Sequence, residues 1–92
     1  MNEVTHDPRA MKFFLMNDGK EAHLFYRKKG RDVLDLIHTY VPPEHRGRAI
    51  AGQIVRTALD YAAAEGYRVI PTCPFVRDFM ESHPEYEKLR SE

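Results

Sequence analysis

The chain lacks the features that cross-link a small protein or place it in a membrane. Its 92 residues include one cysteine and no tryptophan, so no disulfide can form within the chain. This excludes the disulfide-rich scaffolds of small secreted domains. No apolar run approaches the roughly 18 residues of a membrane span, and the polar first residues do not resemble a signal peptide. We therefore expect a cytoplasmic, reduced protein with no membrane partner.

An excess of either charge is also absent. Fourteen lysines and arginines balance fourteen aspartates and glutamates, which gives a formal net charge of zero. A general nucleic-acid binder normally carries a basic excess, so we expect no nucleic-acid partner. Zero net charge gives little protection against self-association, and we expect a monomer or a weak homodimer. The histidines and the cysteine have no metal-ligand spacing, so we predict no metal site.

What is present fits one small domain. The polar residues 1–10 predict a flexible N-terminal arm, followed by a single domain over residues 11–92. Three short strands are predicted at residues 12–17, 21–28 and 33–41, joined by turns at Asp18-Gly19 and at residues 29–32. Alternation in the third strand predicts one shared face for Leu34, Leu36, His38 and Tyr40.

The period of the apolar residues then changes to that of a helix. Ile50, Ile54, Ala58 and Ala62 form one stripe, and Gly66 is a typical helix terminator. A short strand at residues 68–72 and a helix at about residues 75–82 complete the chain. The order β-β-β-α-β-α predicts an α/β (α+β) fold. It consists of a three-stranded antiparallel meander, a helix, a fourth strand parallel to the third, and a C-terminal helix.

Positive charge lies where the first helix begins. His45, Arg46 and Arg48 precede the apolar stripe, although a helix N-terminus favours acidic side chains. Small residues alternate with them: Gly47, Ala49, Ala51 and Gly52. Bare amides, a helix dipole and cationic donors together indicate a phosphate cradle. The alternative is that the arginines are solvated surface residues and the small residues allow tight helix packing.

The same residues resemble a known family. The run from Arg46 to Ala51 is similar to the Arg/Gln-x-x-Gly-x-Gly/Ala signature of the GCN5-related N-acetyltransferases. Three further motifs resemble a subgroup of about a hundred residues: His38-Thr39-Tyr40-Val41-Pro42, Cys73-Pro74-Phe75 and His83-Pro84-Glu85-Tyr86. The resemblance extends over residues 12–89 and implies a minimal version of that fold.

The resemblance implies acetyl-CoA or another coenzyme A thioester as the cofactor. Its phosphates would lie over Arg46, Gly47, Arg48, Ala49, Ile50, Ala51 and Gly52. Its pantetheine arm would enter between the third and fourth strands and bond the backbone near Tyr40 and Val41, with the Val41 N–H stabilising the developing oxyanion.

The chain departs from the family in two places. Ala49 stands where the signature usually has its first glycine, and its methyl group narrows the approach of a ligand to the backbone. The helices that normally separate the first two strands are replaced by Asp18-Gly19-Lys20. The acceptor side should therefore be open, which suits a macromolecule or an unhindered amine.

Two side chains are candidates for proton transfer. Cys73 lies before a predicted helix start, where a thiolate is stabilised, so it could protonate the departing thiolate or carry the acyl group. The alternative is a small buried apolar residue. His38, near the expected thioester, could act as the base for an acceptor ammonium, or it could be structural. His83 and Tyr86 are expected to fix the last helix.

The sequence therefore predicts an acyl-CoA-dependent N-acetyltransferase that acts on an unknown amine or protein acceptor by direct transfer in a ternary complex. A non-catalytic acyl-CoA-binding sensor or adaptor is the main alternative. A protein-binding domain whose arginine pair meets an acidic partner is the third.

Overall fold

The first half of the chain forms four successive antiparallel strands. The computed structural model describes residues 3–46 and 49–91. The strands are β1 (Thr5–Asp7), β2 (Lys12–Asn17), β3 (Lys20–Lys29) and β4 (Val33–Tyr40). At the β2–β3 turn, Asp18 and Gly19 have φ values of 53° and 76°, which is the geometry of a tight hairpin turn. The predicted hairpin is confirmed.

Helices and one parallel strand form the second half. A 3₁₀ turn (Pro43–His45) precedes α1 (Ile50–Glu65), which is followed by β5 (Arg68–Pro71), α2 (Pro74–Ser82) and a 3₁₀ segment (Pro84–Leu89). The helix α1 ends at Gly66, whose φ of 80° is left-handed. The strand β5 pairs in parallel with β4, so the five strands lie in the order β1-β2-β3-β4-β5. The predicted fold class is confirmed, with one more strand in the meander than expected.

The extra strand lies in the segment that was predicted to be a flexible arm. His6 pairs with Phe13 across the β1–β2 ladder, and the two rings stack with centroids 4.2 Å apart. The His6 Nε2 atom lies 2.6 Å from the Tyr26 hydroxyl oxygen, and the Tyr61 ring meets the imidazole edge-on at 4.5 Å. The sequence contains no signal for this strand, because the side chain that packs it on the sheet is the imidazole of His6 rather than an aliphatic group. Residues 1 and 2 of the arm lie outside the described residues.

One face of the sheet carries the hydrophobic core. Phe13 and Leu15 of β2 and Leu24 of β3 are buried there, and α1, whose Ile54 and Leu59 are fully buried, packs on β2 and β3. The predicted apolar stripe of α1 is therefore the side that it buries. Side chains at alternate positions of β3, such as His23 and Phe25, lie on the opposite face and outside the core. No helix of the described part of the chain is long and apolar enough to cross a membrane.

Burial of His6 links the stability of the fold to pH. Desolvation lowers the pKa of His6 below its ordinary value of 6.5, because burial disfavours the charged ring. The unfolded chain therefore takes up the proton first, and the free energy of unfolding should fall as the pH drops through 6.5 towards the lowered value. We expect a lower urea midpoint at pH 5.5 than at pH 7.5, with a smaller difference in His6→Phe, which keeps the ring stacking. Equal differences in the two proteins would contradict this assignment.

Candidate functional site

The strands β4 and β5 separate after the pair Leu36–Pro71. Pro71 has no N–H to continue the ladder, and the Thr72 N–H donates to the Ile70 carbonyl at 3.0 Å, which turns the chain away. The Cys73 N–H makes a last contact with the Leu36 carbonyl at 2.9 Å. Within the described residues, the remainder of β4 has no paired neighbour on this side, so a gap opens between the two strands.

A bulge lies in β4 at the same level. Phe25 pairs with His38, but the next residue of β3, Tyr26, pairs with Leu36, so Ile37 has no partner across the ladder. An extra residue reverses the alternation of side chains that follow it. His38 and Tyr40 therefore lie on the face opposite the core.

The prediction that His38 and Tyr40 share a face with Leu34 and Leu36 is therefore wrong. Strict alternation assumed an unbroken strand, and the sequence around Ile37 carries no glycine or proline to mark the bulge. Thr39 takes the core-side position instead, opposite Leu24.

A groove begins in this gap and extends to the N-terminus of α1. A cavity of about 260 Å³ is lined by Val41, His45, Arg46, Ala49, Ile50, Ala51, Gly52 and Phe75. A cavity of about 420 Å³ is lined by His38, Thr39, Tyr40, Val41, Arg46, Ala51 and Phe75. The shared lining residues make the two cavities adjoining parts of one groove. Most of the predicted cofactor residues line it, whereas Gly47 and Arg48 lie outside the described residues.

His45 does not act as a surface cation beside the arginines. Its ring is 4% exposed, and both of its nitrogens are engaged by Asn17 at the end of β2. Nδ1 accepts from the Asn17 side-chain amide at 3.1 Å, and Nε2–H donates to the Asn17 carbonyl at 3.1 Å. An exposed ion pair between Lys20 and Glu44, at 2.7 Å, joins the same two segments. These contacts hold the loop before α1 against the β2–β3 turn.

Arg46 and Ala49 shape the two ends of that loop. The Arg46 Nε–H donates to the Val41 carbonyl at 3.0 Å, which leaves the rest of an exposed guanidinium at the groove. Ala49 caps α1 with a φ of 60°, a left-handed conformation that L-residues with a Cβ rarely adopt. Ala49, where the sequence resemblance led us to expect glycine, is thus held in a conformation that glycine adopts without strain.

Cys73 lies behind the groove. Its side chain is 5% exposed and belongs to the hydrophobic core, although the residue caps α2 as expected. Its Sγ lies 3.4 Å from the hydroxyl oxygen of Thr39, which does line the groove. Any proton from this thiol would therefore reach the groove through Thr39, a residue that sequence reasoning did not select.

The C-terminal motif fixes the tail to α1. The Tyr86 hydroxyl donates to Asp60 Oδ1 at 2.7 Å and accepts from Arg56 Nη1 at 3.2 Å. The His83 ring stacks on Phe79 with centroids 3.9 Å apart and hydrogen-bonds the Phe79 carbonyl through Nδ1 at 2.7 Å. These contacts fit the expected structural role of His83 and Tyr86.

Comparison with known proteins is consistent with this architecture. The family model described as GCN5-related N-acetyl-transferase matches residues 12–89. The protein named Protein NATD1 of Bos taurus is 36% identical over 83 residues, covering 88% of this chain and 74% of the relative. Its namesake in Danio rerio is 33% identical over 87 residues, covering 90% of this chain and 79% of the relative.

A solved structure has the same fold. The solution structure of a GCN5-like putative N-acetyltransferase from Staphylococcus aureus superimposes with a TM-score of 0.77 at 20% identity. The alignment covers 97% of this chain and 87% of that one.

The strain at Ala49 predicts opposite effects for two similar substitutions. Ala49→Gly should raise the free energy of unfolding by about 1 kcal/mol, because glycine has no Cβ to clash in the left-handed region. Ala51→Gly, two residues later inside the helix, should lower it by about 0.5–1 kcal/mol through backbone entropy. Urea unfolding of the two variants measures both. A stability loss of similar size in each would show that Ala49 is not strained.

Proposed function

Because the chain belongs to the GCN5-related N-acetyltransferase family, we propose that it transfers an acetyl group from coenzyme A to an amine acceptor. Both substrates are bound together, and the transfer is direct. Family membership indicates acyl transfer, whereas the identity of the thioester is part of the proposal. The observation that carries it is the groove that extends from the unpaired end of β4 to the N-terminus of α1 and is also lined by Phe75 of α2.

The two ends of the groove differ in the chemistry that they offer. At the α1 end, the first N–H groups of the helix, which have no acceptor within it, the positive end of the helix dipole and Arg46 favour phosphate groups. At the β4 end, the part of β4 that no longer pairs with β5 has backbone N–H and C=O groups on that edge that have no strand partner within the described residues. These groups can hydrogen-bond the amides of a ligand. Phe75, 43% exposed, provides an apolar wall for both parts. Coenzyme A has this distribution of phosphates, amides and apolar arm.

Gly52 gives a steric test of this fit. It lies in the first turn of α1, where alanine would be the better helix former. A Cβ added there would meet Phe79 Cε2 at 3.6 Å, which is ordinary contact, so internal packing does not require glycine. Gly52 also lines the groove, and in the proposal its bare backbone leaves room for a ligand to approach.

The chemistry needs one bond made and one broken. The acceptor nitrogen bonds to the thioester carbonyl carbon, the carbon–sulfur bond breaks, and the sulfur leaves as a thiolate. In the proposal His38 accepts one proton of the acceptor ammonium, and the nitrogen releases its second proton to water as the carbon–sulfur bond breaks. The Val41 N–H donates to the carbonyl oxygen. Cys73 supplies a proton to the leaving thiolate through the Thr39 hydroxyl, which lies 3.4 Å from its sulfur.

The ligand is tested by calorimetric titration of coenzyme A at neutral pH and low salt. We expect binding to the wild-type protein and a loss of at least about tenfold in affinity in Gly52→Ala, since the added methyl occupies the ligand's approach. The same variant should gain up to about 1 kcal/mol in stability from helix propensity. No binding at millimolar coenzyme A, or unchanged affinity in Gly52→Ala, would refute this placement.

The proton-transfer roles predict losses in turnover without losses in affinity. His38→Gln should lower kcat by about 10²-fold and abolish the ascending limb of the pH–rate profile. Cys73→Ala should lower kcat while the affinity for coenzyme A is retained. For each variant, the rate of thioester consumption measures turnover, and the calorimetric titration measures the affinity for coenzyme A. A retained ascending limb would remove His38 from the mechanism, and unchanged turnover would do the same for Cys73.

Burial of Cys73 favours a second candidate function. A thiol in the hydrophobic core is also what a non-catalytic acyl-CoA-binding module would have, because no transfer step would need it. This alternative predicts coenzyme A binding without turnover. Incubation with acetyl-CoA, with and without cell extract, followed by intact mass measurement, separates it from the enzyme.

A further inference from the structure

The exposed apolar side chains of this protein are concentrated around His38. Among the described residues, five large hydrophobic side chains are at least 38% exposed: Met11, Met16, Phe25, Tyr40 and Phe75. Tyr40 and Phe75 line the β4 end of the groove together with His38. Met11 and Phe25 line a different cavity, and His38 is again part of its wall. Clustered apolar exposure of this kind is typical of a binding surface.

This second cavity, which we name the bulge cavity, lies beside the irregular part of β4. It has a volume of about 330 Å³, and its walls include Met11, Phe25, Tyr26, Arg27, Ile37 and His38. Ile37 is the residue that the bulge leaves unpaired. Phe25 and Arg27 point away from the core, so the cavity opens on the sheet face that no described helix covers. His38 is therefore the boundary between the groove and this face.

The bulge cavity carries a cation, Arg27, that makes no ion pair of its own with the described residues, although Asp35 lies opposite it across the β3–β4 ladder. Two lysines on neighbouring positions of this face are paired: Lys12 with Glu21 at 2.9 Å, and Lys29 with Asp35 at 3.6 Å. Arg27 forms no ion pair with another residue in the ranges 3–46 and 49–91. Its guanidinium offers forked donors that match a carboxylate.

We propose that the bulge cavity binds the acceptor, and that the acceptor is a small amine carrying a carboxylate on an apolar body. The inference rests on the proposed function, because His38 can receive the amine proton only if the thioester lies in the adjoining groove. The amine lies beside His38, the apolar body packs on Met11 and Phe25, and the carboxylate binds Arg27. A volume of about 330 Å³ is within the range of small-molecule sites.

The test compares two amines that differ in one group. 4-(Aminomethyl)benzoate has the amine, the apolar ring and the carboxylate, and benzylamine lacks only the carboxylate. Each is titrated into the coenzyme A-saturated protein and followed by backbone amide NMR shifts. We expect shifts at residues 25–27 and 37–38, with the acid binding about three- to tenfold more tightly, as suits a partly exposed ion pair.

Substitutions of Arg27 and of a control arginine, Arg31, test whether Arg27 causes the preference for the amine that carries a carboxylate. Arg27→Gln should make the affinities of the two amines equal. Arg31→Gln, which removes an exposed arginine that does not line the bulge cavity, should leave the preference unchanged. In turnover assays the same acid preference should appear in kcat/KM and disappear in Arg27→Gln.

Several outcomes would overturn the proposal. These are equal affinity of the two amines for the wild-type protein, no binding of either, shifts confined to other surfaces, or an acid preference that survives Arg27→Gln. Acetylation of peptides without acetylation of the small acid would also overturn it, in favour of a macromolecular acceptor. Arg27 does not line the groove, so the acid is also titrated into the protein without coenzyme A. A protein that binds the acid but not coenzyme A contradicts the proposed function instead.

Discussion

The unpaired residue Ile37 in β4 is the constraint on which the rest of the site depends. Because β3 has no residue opposite it, the two halves of β4 present their side chains to different faces of the sheet. Leu36 remains in the core, whereas His38 lies outside it. At the same level Pro71 ends the pairing of β4 with β5. One irregularity on each side of the strand thus opens a groove and places a histidine at its border.

The groove also depends on a contact between segments that are distant in the chain. His45, buried beside the groove, is held by two hydrogen bonds to Asn17 of the β2–β3 hairpin. A buried imidazole with both nitrogens satisfied fixes the loop that follows it, because breaking either bond would leave a polar group without a partner. The β2–β3 hairpin therefore supports the loop before α1.

A net charge of zero conceals two local imbalances that the fold produces. Arg46 remains exposed where the helix dipole is positive. Arg27 lies on the sheet face that no described helix covers, opposite Asp35, and that carboxylate is paired with Lys29. Both arginines lie beside apolar walls, Phe75 in the first case and Phe25 in the second. A net charge of zero is therefore compatible with two local sites for anionic groups.

The sequence by itself determined the elements that depend on local preferences, such as the Asp18-Gly19 turn and the helical stripe that ends at Gly66, and the strand–helix–strand order determined the parallel β5. It also located the cationic loop through Arg46. It did not reveal β1, whose residues are polar. Only the tertiary structure decided the roles of His45 and Thr39 and the face on which His38 lies. Those outcomes depend on a partner across the sheet or on another segment, and such a partner leaves no periodic signal in the chain. The alternation of side chains can be predicted from the sequence of one strand. A bulge depends on how two strands pair, so the sequence of one strand does not show it.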